Sequence, residues 1–388
     1  MMKADDKIPE LSLLGGPLHW LGSRLGLVRG GTDTIRLGVA LGLLGWGVLT
    51  LLALLQGLGH KVFSLAAIGV HARLLVAIPL FFVCETKVAP RMAEFVGNIV
   101  RSEVVPPRAL PMLESGIAGI TRWKDSWFPE AMCLLATVLL PLIGKQLHLV
   151  GAMATFDSSR LATEWTLAGR WYWFVCLPLF RFLLFRWLWR LGLWCCFLWR
   201  VAKLELDLVP THPDGAAGLG YLEVVQTYFT PLVLAISVVE SASFAEGLSA
   251  GTMTFEAVFP ALALILVLDA VLFLGPLLIF APKLWTCRVK GLSDYMAFAA
   301  RYVIGFDRKW LGDDPAPLNL LLGTQDLQSL ADLSNSIDNV RNMRWVPSSL
   351  RLLESLAISA LLPLVPLLLF KYPVADLARN FFTRLTGL

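Results

Sequence analysis

The residues from Trp171 to Trp199 form an apolar segment of membrane-spanning length that is rich in tryptophan and arginine. Several further apolar runs of similar length follow one another along the chain, and about 20 mostly apolar residues suffice to cross a bilayer as a helix. Of the whole chain, 56% is hydrophobic and only 16% charged, which excludes an ordinary soluble globular protein. The sequence therefore predicts an all-α polytopic membrane protein.

Seven segments are predicted to cross the membrane: about 35–58, 62–84, 131–150, 171–199, 221–239, 255–281 and 352–370. The domains that follow are a cytoplasmic N-terminal arm (1–34), a bundle of six spans (35–281), a cytoplasmic helical module (282–350), and a last span with an amphipathic C-terminal helix (351–388). Arg73 interrupts the second span. The last span contains Pro363 and Pro366, so a re-entrant hairpin is an alternative there.

Two helices are predicted outside the spans. Within the cytoplasmic module, Leu327, Leu330 and Val340 recur at helical spacing after Thr324, a plausible N-cap. In the tail, apolar residues between 374 and 385 share one stripe, which predicts an interfacial helix.

Lysine and arginine are distributed unevenly between the two sides that this topology defines. Of the 33, 22 fall in the segments assigned to one side and 6 in those assigned to the other, the remaining 5 lying inside spans. Because positive residues accumulate in cytoplasmic loops, we expect the N-terminus inside and the C-terminus in the periplasm.

Five charged residues are predicted near the middle of the spans: Arg73, Arg181, Arg186, Arg190 and Asp269. A charge at this depth costs at least ~2.5–3.5 kcal/mol and needs a partner, water or a function. Asp269 can pair with one arginine as a structural salt bridge. Alternatively, the surplus positive charge lines an anion-favouring pathway, or the arginines reach the interfaces by snorkelling.

The loop after the tryptophan-rich segment contains His212, Pro213 and Asp214 followed by Gly215. Proline fixes φ, aspartate can cap, and glycine tolerates positive φ, so a structural turn is the first interpretation. A gating or proton-linked role for His212 and Asp214 is a second, and metal binding or catalysis a third. No third metal ligand or known ligand spacing accompanies them.

Three motifs carry a family resemblance. They are Val209-Pro-Thr-His-Pro-Asp214 through Gly218-Leu-Gly220, Arg-Trp-Leu-Trp-Arg at 186–190, and Gln328-Ser-Leu-Ala-Asp-Leu333. With them, most of the chain resembles a family of bacterial integral membrane proteins without an established activity. The resemblance implies a bacterial inner-membrane location and supplies no mechanism, so no catalytic residue is carried over.

No nucleotide-binding, zinc-protease or nucleophile motif is present, so we assign no catalytic residue, metal or cofactor and do not expect an enzyme. The mid-membrane charges and the prolines inside several spans favour a channel or transporter, with a small ion or anionic solute as its substrate. A sensor or scaffold that signals through 282–350 is the alternative. Expected partners are the lipid bilayer and further copies of the chain, and not nucleic acid.

Overall fold

The computed structural model describes Leu11, Arg24 and residues 31–146, 166–311 and 325–371. Over these residues the chain is built from helices, and the described part contains no β-strand. The predicted all-α class is therefore confirmed. Most of the predicted N-terminal arm, the N-cap Thr324 and the amphipathic tail helix lie outside the described residues.

The helices are numbered here in chain order, and 3₁₀ or π turns that continue a helix are counted as part of it. They are α1 (Gly31–Leu55), α2 (Gly59–Val62), α3 (Leu65–Arg101), α4 (Leu110–Asp125), α5 (Trp127–Gln146), α6 (167–203), α7 (Tyr221–Ser249), α8 (Phe255–Leu278), α9 (Ala281–Trp310), α10 (Gln325–Asn342) and α11 (Leu350–Lys371).

Five of these helices are long and apolar enough to cross a membrane: α1 from Asp33, α3, α7, α8 and α11. Five candidate helices agree with a membrane protein of several spans, but they do not establish the seven predicted spans. Within the residues whose side chains are described, the apolar part of α5 covers Trp127–Leu139, and the helix itself continues to Gln146. Helix α6 carries Arg181, Arg186 and Arg190, and it is not among the five candidates.

Helix α4 is not predicted from the sequence, where 103–130 has the composition of a polar connection. It buries only Leu113, Ile117 and Ile120. One narrow apolar stripe on a polar helix is a weak signal beside the long apolar runs that flank it.

Helices α1 and α3 approach closely at two glycines of α1. A Cβ atom at Gly38 would lie 2.6 Å from Cδ2 of Phe82, and one at Gly42 would lie 2.2 Å from the carbonyl oxygen of Leu74. Any larger residue at these positions would push α3 away. The small-residue spacing at 38 and 42 thus lies at a helix contact, as it commonly does in membrane bundles.

Helix α11 is interrupted by a 3₁₀ stretch, Leu362–Leu367, that contains Pro366. Proline supplies no N–H donor, so carbonyl oxygens near it need other partners. Two serines one turn apart on α7 supply them. Ser237 Oγ donates to the carbonyl of Ala360, and Ser241 Oγ donates to that of Pro363 at 2.6 Å.

Helices α9 and α10 pack side by side, and contacts to Asp326 join their ends. The hydroxyl of Tyr302 donates to the Asp326 carbonyl at 2.9 Å, and Trp310 Nε1 donates to its carboxylate at 3.1 Å. Lys309 forms an ion pair with the same carboxylate, which lowers the pKa of Asp326. The helix predicted from the spacing of Leu327, Leu330 and Val340 is present as α10.

Candidate functional site: buried charges in the helical bundle

Arg73 lies wholly inside the bundle, with 0% of its surface exposed. Its Nη1 donates a hydrogen bond of 2.6 Å to the hydroxyl of Tyr172 on α6, and its Nη2 donates one of 3.3 Å to Oγ of Ser243 on α7. Its Nε has no hydrogen-bond partner among the described residues. No described carboxylate forms an ion pair with it, so two neutral oxygens hold this buried cation.

The hydrogen bond between Arg73 and Tyr172 joins two π-helical turns. Arg73 belongs to the turn Ala72–Ala77 within α3, and Tyr172 begins the turn Tyr172–Cys176 within α6. π-Helical turns are rare in proteins as a whole, and those that do occur are often found at functional sites. Here both widened turns present their polar side chains to each other.

An acid lies one turn from this cation in the interface between α3 and α7. Glu246, three residues beyond Ser243, is buried and accepts the backbone N–H of Gly69 at 2.7 Å. A Cβ atom at Gly69 would lie 2.7 Å from the same carboxylate oxygen, so only glycine admits this contact. Gly69 precedes Arg73 by about one turn of α3.

Two other predicted arginines, Arg186 and Arg190, come together on α6 around the buried Glu85 of α3. Arg190 Nη2 donates to Glu85 Oε1 at 2.9 Å, and Arg186 Nη1 lies 3.6 Å from Glu85 Oε2. Arg186 Nε also lies 3.5 Å from Oε1 of Glu130, in the first turn of α5. Two cations and two carboxylates therefore form one buried network.

A cavity of about 550 Å³ opens beside this network between α1, α3, α5 and α6. Its polar lining consists of Thr34, Glu85, Glu130 and Arg186. The rest of its wall is apolar: Leu37, Leu41, Phe82, Ala131, Leu134, Pro178, Leu179, Phe182 and Leu183. This volume lies in the range of known small-molecule sites.

The five predicted charges therefore do not form one layer. Arg73 is separated from Glu85 by 12 residues of α3, about 18 Å at 1.5 Å per residue. Arg181 lies on α6 with a half-buried side chain. The span midpoints predicted that Arg73 and Arg186 lie at the same depth, and this is wrong. Arg186 contacts Glu85, which lies far along α3 from Arg73, because α3 extends well beyond the predicted second span.

Asp269 forms no salt bridge with any arginine that the structure describes. The predicted structural salt bridge between Asp269 and an arginine is therefore wrong. Its Oδ2 is buried and has no hydrogen-bond partner among the described residues. Its carboxylate instead lies within electrostatic range of Glu240 on α7. The expected pairing fails because the charged neighbour of Asp269 in the described part of the chain is an acid, Glu240, and not an arginine.

Asp214 caps the loop that contains His212 and Pro213. Its carboxylate accepts the N–H groups of Ala216 at 2.8 Å, Gly220 at 2.7 Å and Gly218 at 3.2 Å. Nδ1 of His212 lies 2.8 Å from Asp214 Oδ1. Partial burial opposes ionisation, but the three N–H donors prevail and lower the pKa of Asp214 below its usual value.

Arg344 fastens this loop to the helices around it, a role that the sequence did not reveal. Its Nη2 donates to the carbonyl of Asp214 and its backbone N–H to that of Gly215, both at 2.8 Å. Its Nη1 donates to Glu223 of α7 at 2.8 Å, and the hydroxyl of Ser349 donates to the other oxygen of Glu223. The loop therefore has a structural arrangement, and a gating role for His212 and Asp214 stays a prediction.

Glu85, Glu130, Tyr172, Ser243 and Glu246 were also not selected from the sequence. Each lies near the end of an apolar run, where polar residues are ordinary. In the described part of the chain, no three His, Cys, Asp or Glu side chains form a group that could hold a metal ion.

Comparison of the chain with the profiles of protein families, with curated proteins and with solved structures found no match.

Proposed function

We propose that this protein moves a small ion or an anionic solute across a membrane, as a channel or carrier. The observation that supports this is the fully buried guanidinium of Arg73, held by the neutral oxygens of Tyr172 and Ser243. A charge inside a spanning segment is by default a functional-site hypothesis, because its burial is expensive.

The proposal assigns the uncompensated positive charge to Arg73. Arg186 and Arg190 have Glu85 and Glu130 as counter-charges. Among the described residues, the hydrogen-bond partners of Arg73 are two hydroxyl groups, whose dipoles stabilise a cation less than a carboxylate does, and Glu246 lies one turn farther along α7. A positive potential at this point favours anions over cations.

Flux from proteoliposomes tests this function. Purified protein is reconstituted with opposed chloride and potassium gradients, and the flux of each ion is measured. We expect chloride to exceed potassium in the wild type, and Arg73→Gln to abolish this preference while Arg73→Lys retains part of it. Arg36→Gln, at an 82% exposed side chain, is the matched control and should leave flux unchanged.

Seven spans, with the N-terminus in the cytoplasm and the C-terminus in the periplasm of a bacterial inner membrane, remain part of the proposal. One contact supports a crossing by α6. Ala168 N–H, in its first turn, donates to Gln56 Oε1 beyond the end of α1, while Arg186 lines the cavity with Thr34 near the start of α1. Thus α6 runs antiparallel along most of α1.

Labelling with a membrane-impermeant thiol reagent tests this topology. A cysteine introduced at Ser158, between α5 and α6, should react from the periplasm, and one at Ser115 of α4 should react only after lysis. Labelling of both from the same side would favour five spans.

A sensor or scaffold is the second candidate, and one surface favours it. Trp285, Val289, Met296 and Val303 on α9 are 40–54% exposed and lie within about 40° of one another at 100° per residue. Such a stripe suits a second copy of the chain or another protein. A photo-crosslinker at Met296 should capture that partner in membranes, one at Asp294 should capture far less, and purified protein should then give no flux.

A further inference from the structure

The cavity beside Arg186 is polar at one end and apolar at the other on all four helices that line it. On α1, Thr34 is followed one and two turns later by Leu37 and Leu41, and on α5, Glu130 is followed by Leu134. On α3 and α6, which run the opposite way, the apolar lining residues precede Glu85 and Arg186. The four helices thus place their polar residues at one common level.

The apolar part of the cavity is open to the surroundings of the bundle. From Thr34 to Leu41 it extends seven residues, about 10 Å at 1.5 Å per residue. Leu134 in its wall is 57% exposed. A volume of about 550 Å³ admits a polar headgroup and the upper part of an acyl chain, and the opening leaves the rest of the chain in the bilayer.

The polar end presents both signs of charge. Arg186 and Glu85 are 8% and 5% exposed, and Arg186 lies 3.5–3.6 Å from its carboxylates, farther than the 2.9 Å of the Arg190–Glu85 bond. With Arg190 and Glu130 the network contains two cations and two carboxylates. A headgroup with net charge would disturb this balance, whereas one carrying both a phosphate and an ammonium group would not.

We propose that this cavity binds a phospholipid with a zwitterionic headgroup, its phosphate toward Arg186, its ammonium toward Glu130, and its acyl chain along Leu41 and Leu134. Burial of the chain against the apolar wall adds to the ionic contacts. The site is independent of the Arg73 group and of whether the protein conducts ions.

Native mass spectrometry of the detergent-purified full chain tests the site by titration with phosphatidylethanolamine and, separately, phosphatidylglycerol. Ala131→Trp places a large side chain in the cavity, and Ala136→Trp, on the same helix but outside the cavity lining, is its matched control. We expect Ala131→Trp to weaken phosphatidylethanolamine binding by about tenfold or more, and Ala136→Trp to leave it within about twofold. Equal effects of the two variants would mean that lipids bind the whole surface and would overturn the proposal.

Two further experiments test which headgroup binds and whether the acyl chain contributes. Glu130→Gln should reduce the preference for phosphatidylethanolamine over phosphatidylglycerol, since it removes the carboxylate assigned to the ammonium group. An unchanged preference, or a wild-type preference for phosphatidylglycerol, would contradict the assignment. Soluble glycerophosphoethanolamine should compete poorly, and competition as strong as that of the lipid would show that the apolar wall contributes nothing and would overturn the lipid proposal.

Discussion

Arg73 and Tyr172 share a hydrogen bond of 2.6 Å that joins a π turn of α3 to a π turn of α6. The residues are 99 positions apart, so the bond depends on the packing of the bundle. Ser243, the second partner of Arg73, lies three residues before the buried Glu246 on α7. This arrangement makes Arg73 the residue on which the proposed function depends most.

Tyr172→Phe removes one of the two hydroxyl partners of the Arg73 guanidinium among the described residues and keeps the aromatic ring. A hydrogen bond to a charged group contributes about 1.5–3 kcal/mol, so we expect the melting temperature of the purified protein to fall. Tyr295→Phe, at a hydroxyl of α9 that lies 3.5 Å from Oγ1 of Thr211, should have a smaller effect. Equal melting temperatures for wild type and Tyr172→Phe would mean that this bond does not stabilise the cation.

Glu85→Gln leaves Arg186 and Arg190 without their shared carboxylate. Breaking a buried ion pair costs about 3–5 kcal/mol, so this variant should lose stability strongly or fail to fold. Asp338→Asn breaks the exposed pair of Asp338 with Arg341 and should cost about 1 kcal/mol or less. Thermal unfolding in detergent compares the two. Similar losses would show that the Glu85 network is effectively solvated.

Gly42→Ala introduces a Cβ atom 2.2 Å from the carbonyl oxygen of Leu74, at the contact of α1 with α3. Backbone cannot yield as a side chain can, so we expect a clear drop in melting temperature. Gly47→Ala is the matched control, because a Cβ there meets nothing within 4 Å. It should be neutral or slightly stabilising, since alanine favours the helix by about 1 kcal/mol. Tolerance of Gly42→Ala would contradict the close approach.

Asp214→Asn tests the capped loop and its pH dependence. Because the N–H donors lower the folded-state pKa of Asp214, its stabilisation is complete above the unfolded value of about 3.9 and is lost as pH falls through the lower folded value. The stability advantage of wild type over Asp214→Asn should therefore be present at pH 7 and shrink below about pH 4. Melting curves of both proteins between pH 7 and pH 3 measure this stability difference. A difference that does not change with pH would show that the ionised carboxylate of Asp214 does not stabilise the loop.

The helices with long apolar runs were predictable, because composition alone decides where a chain can be buried in lipid. Helix α4 was not, since only one narrow stripe of it is buried. Placing Asp269 beside an arginine failed because the sequence does not show which helices become neighbours, and the depths taken from the span midpoints were themselves wrong for Arg73. Arg73 was selected correctly as a buried charge, but Tyr172 and Ser243 were not, since their role depends on which helices become neighbours.

The same limit applies to the loop that contains His212 and Asp214. Its turn chemistry at Pro213, Asp214 and Gly215 was readable from residue types, and Gly215 indeed has a φ of 63°. The hydrogen bonds of Arg344 to the loop could not be predicted from the sequence, because Arg344 and Asp214 are 130 positions apart.

The most direct test of the proposed function is chloride flux from proteoliposomes for wild type, Arg73→Lys, Arg73→Gln and Arg36→Gln, each shown to be folded by its elution profile and melting curve. The account predicts chloride-favouring flux in the wild type and in Arg36→Gln, reduced selectivity in Arg73→Lys, and its loss in Arg73→Gln. Absence of flux in folded wild-type protein over a range of pH and voltage, or flux unchanged in Arg73→Gln, would contradict it.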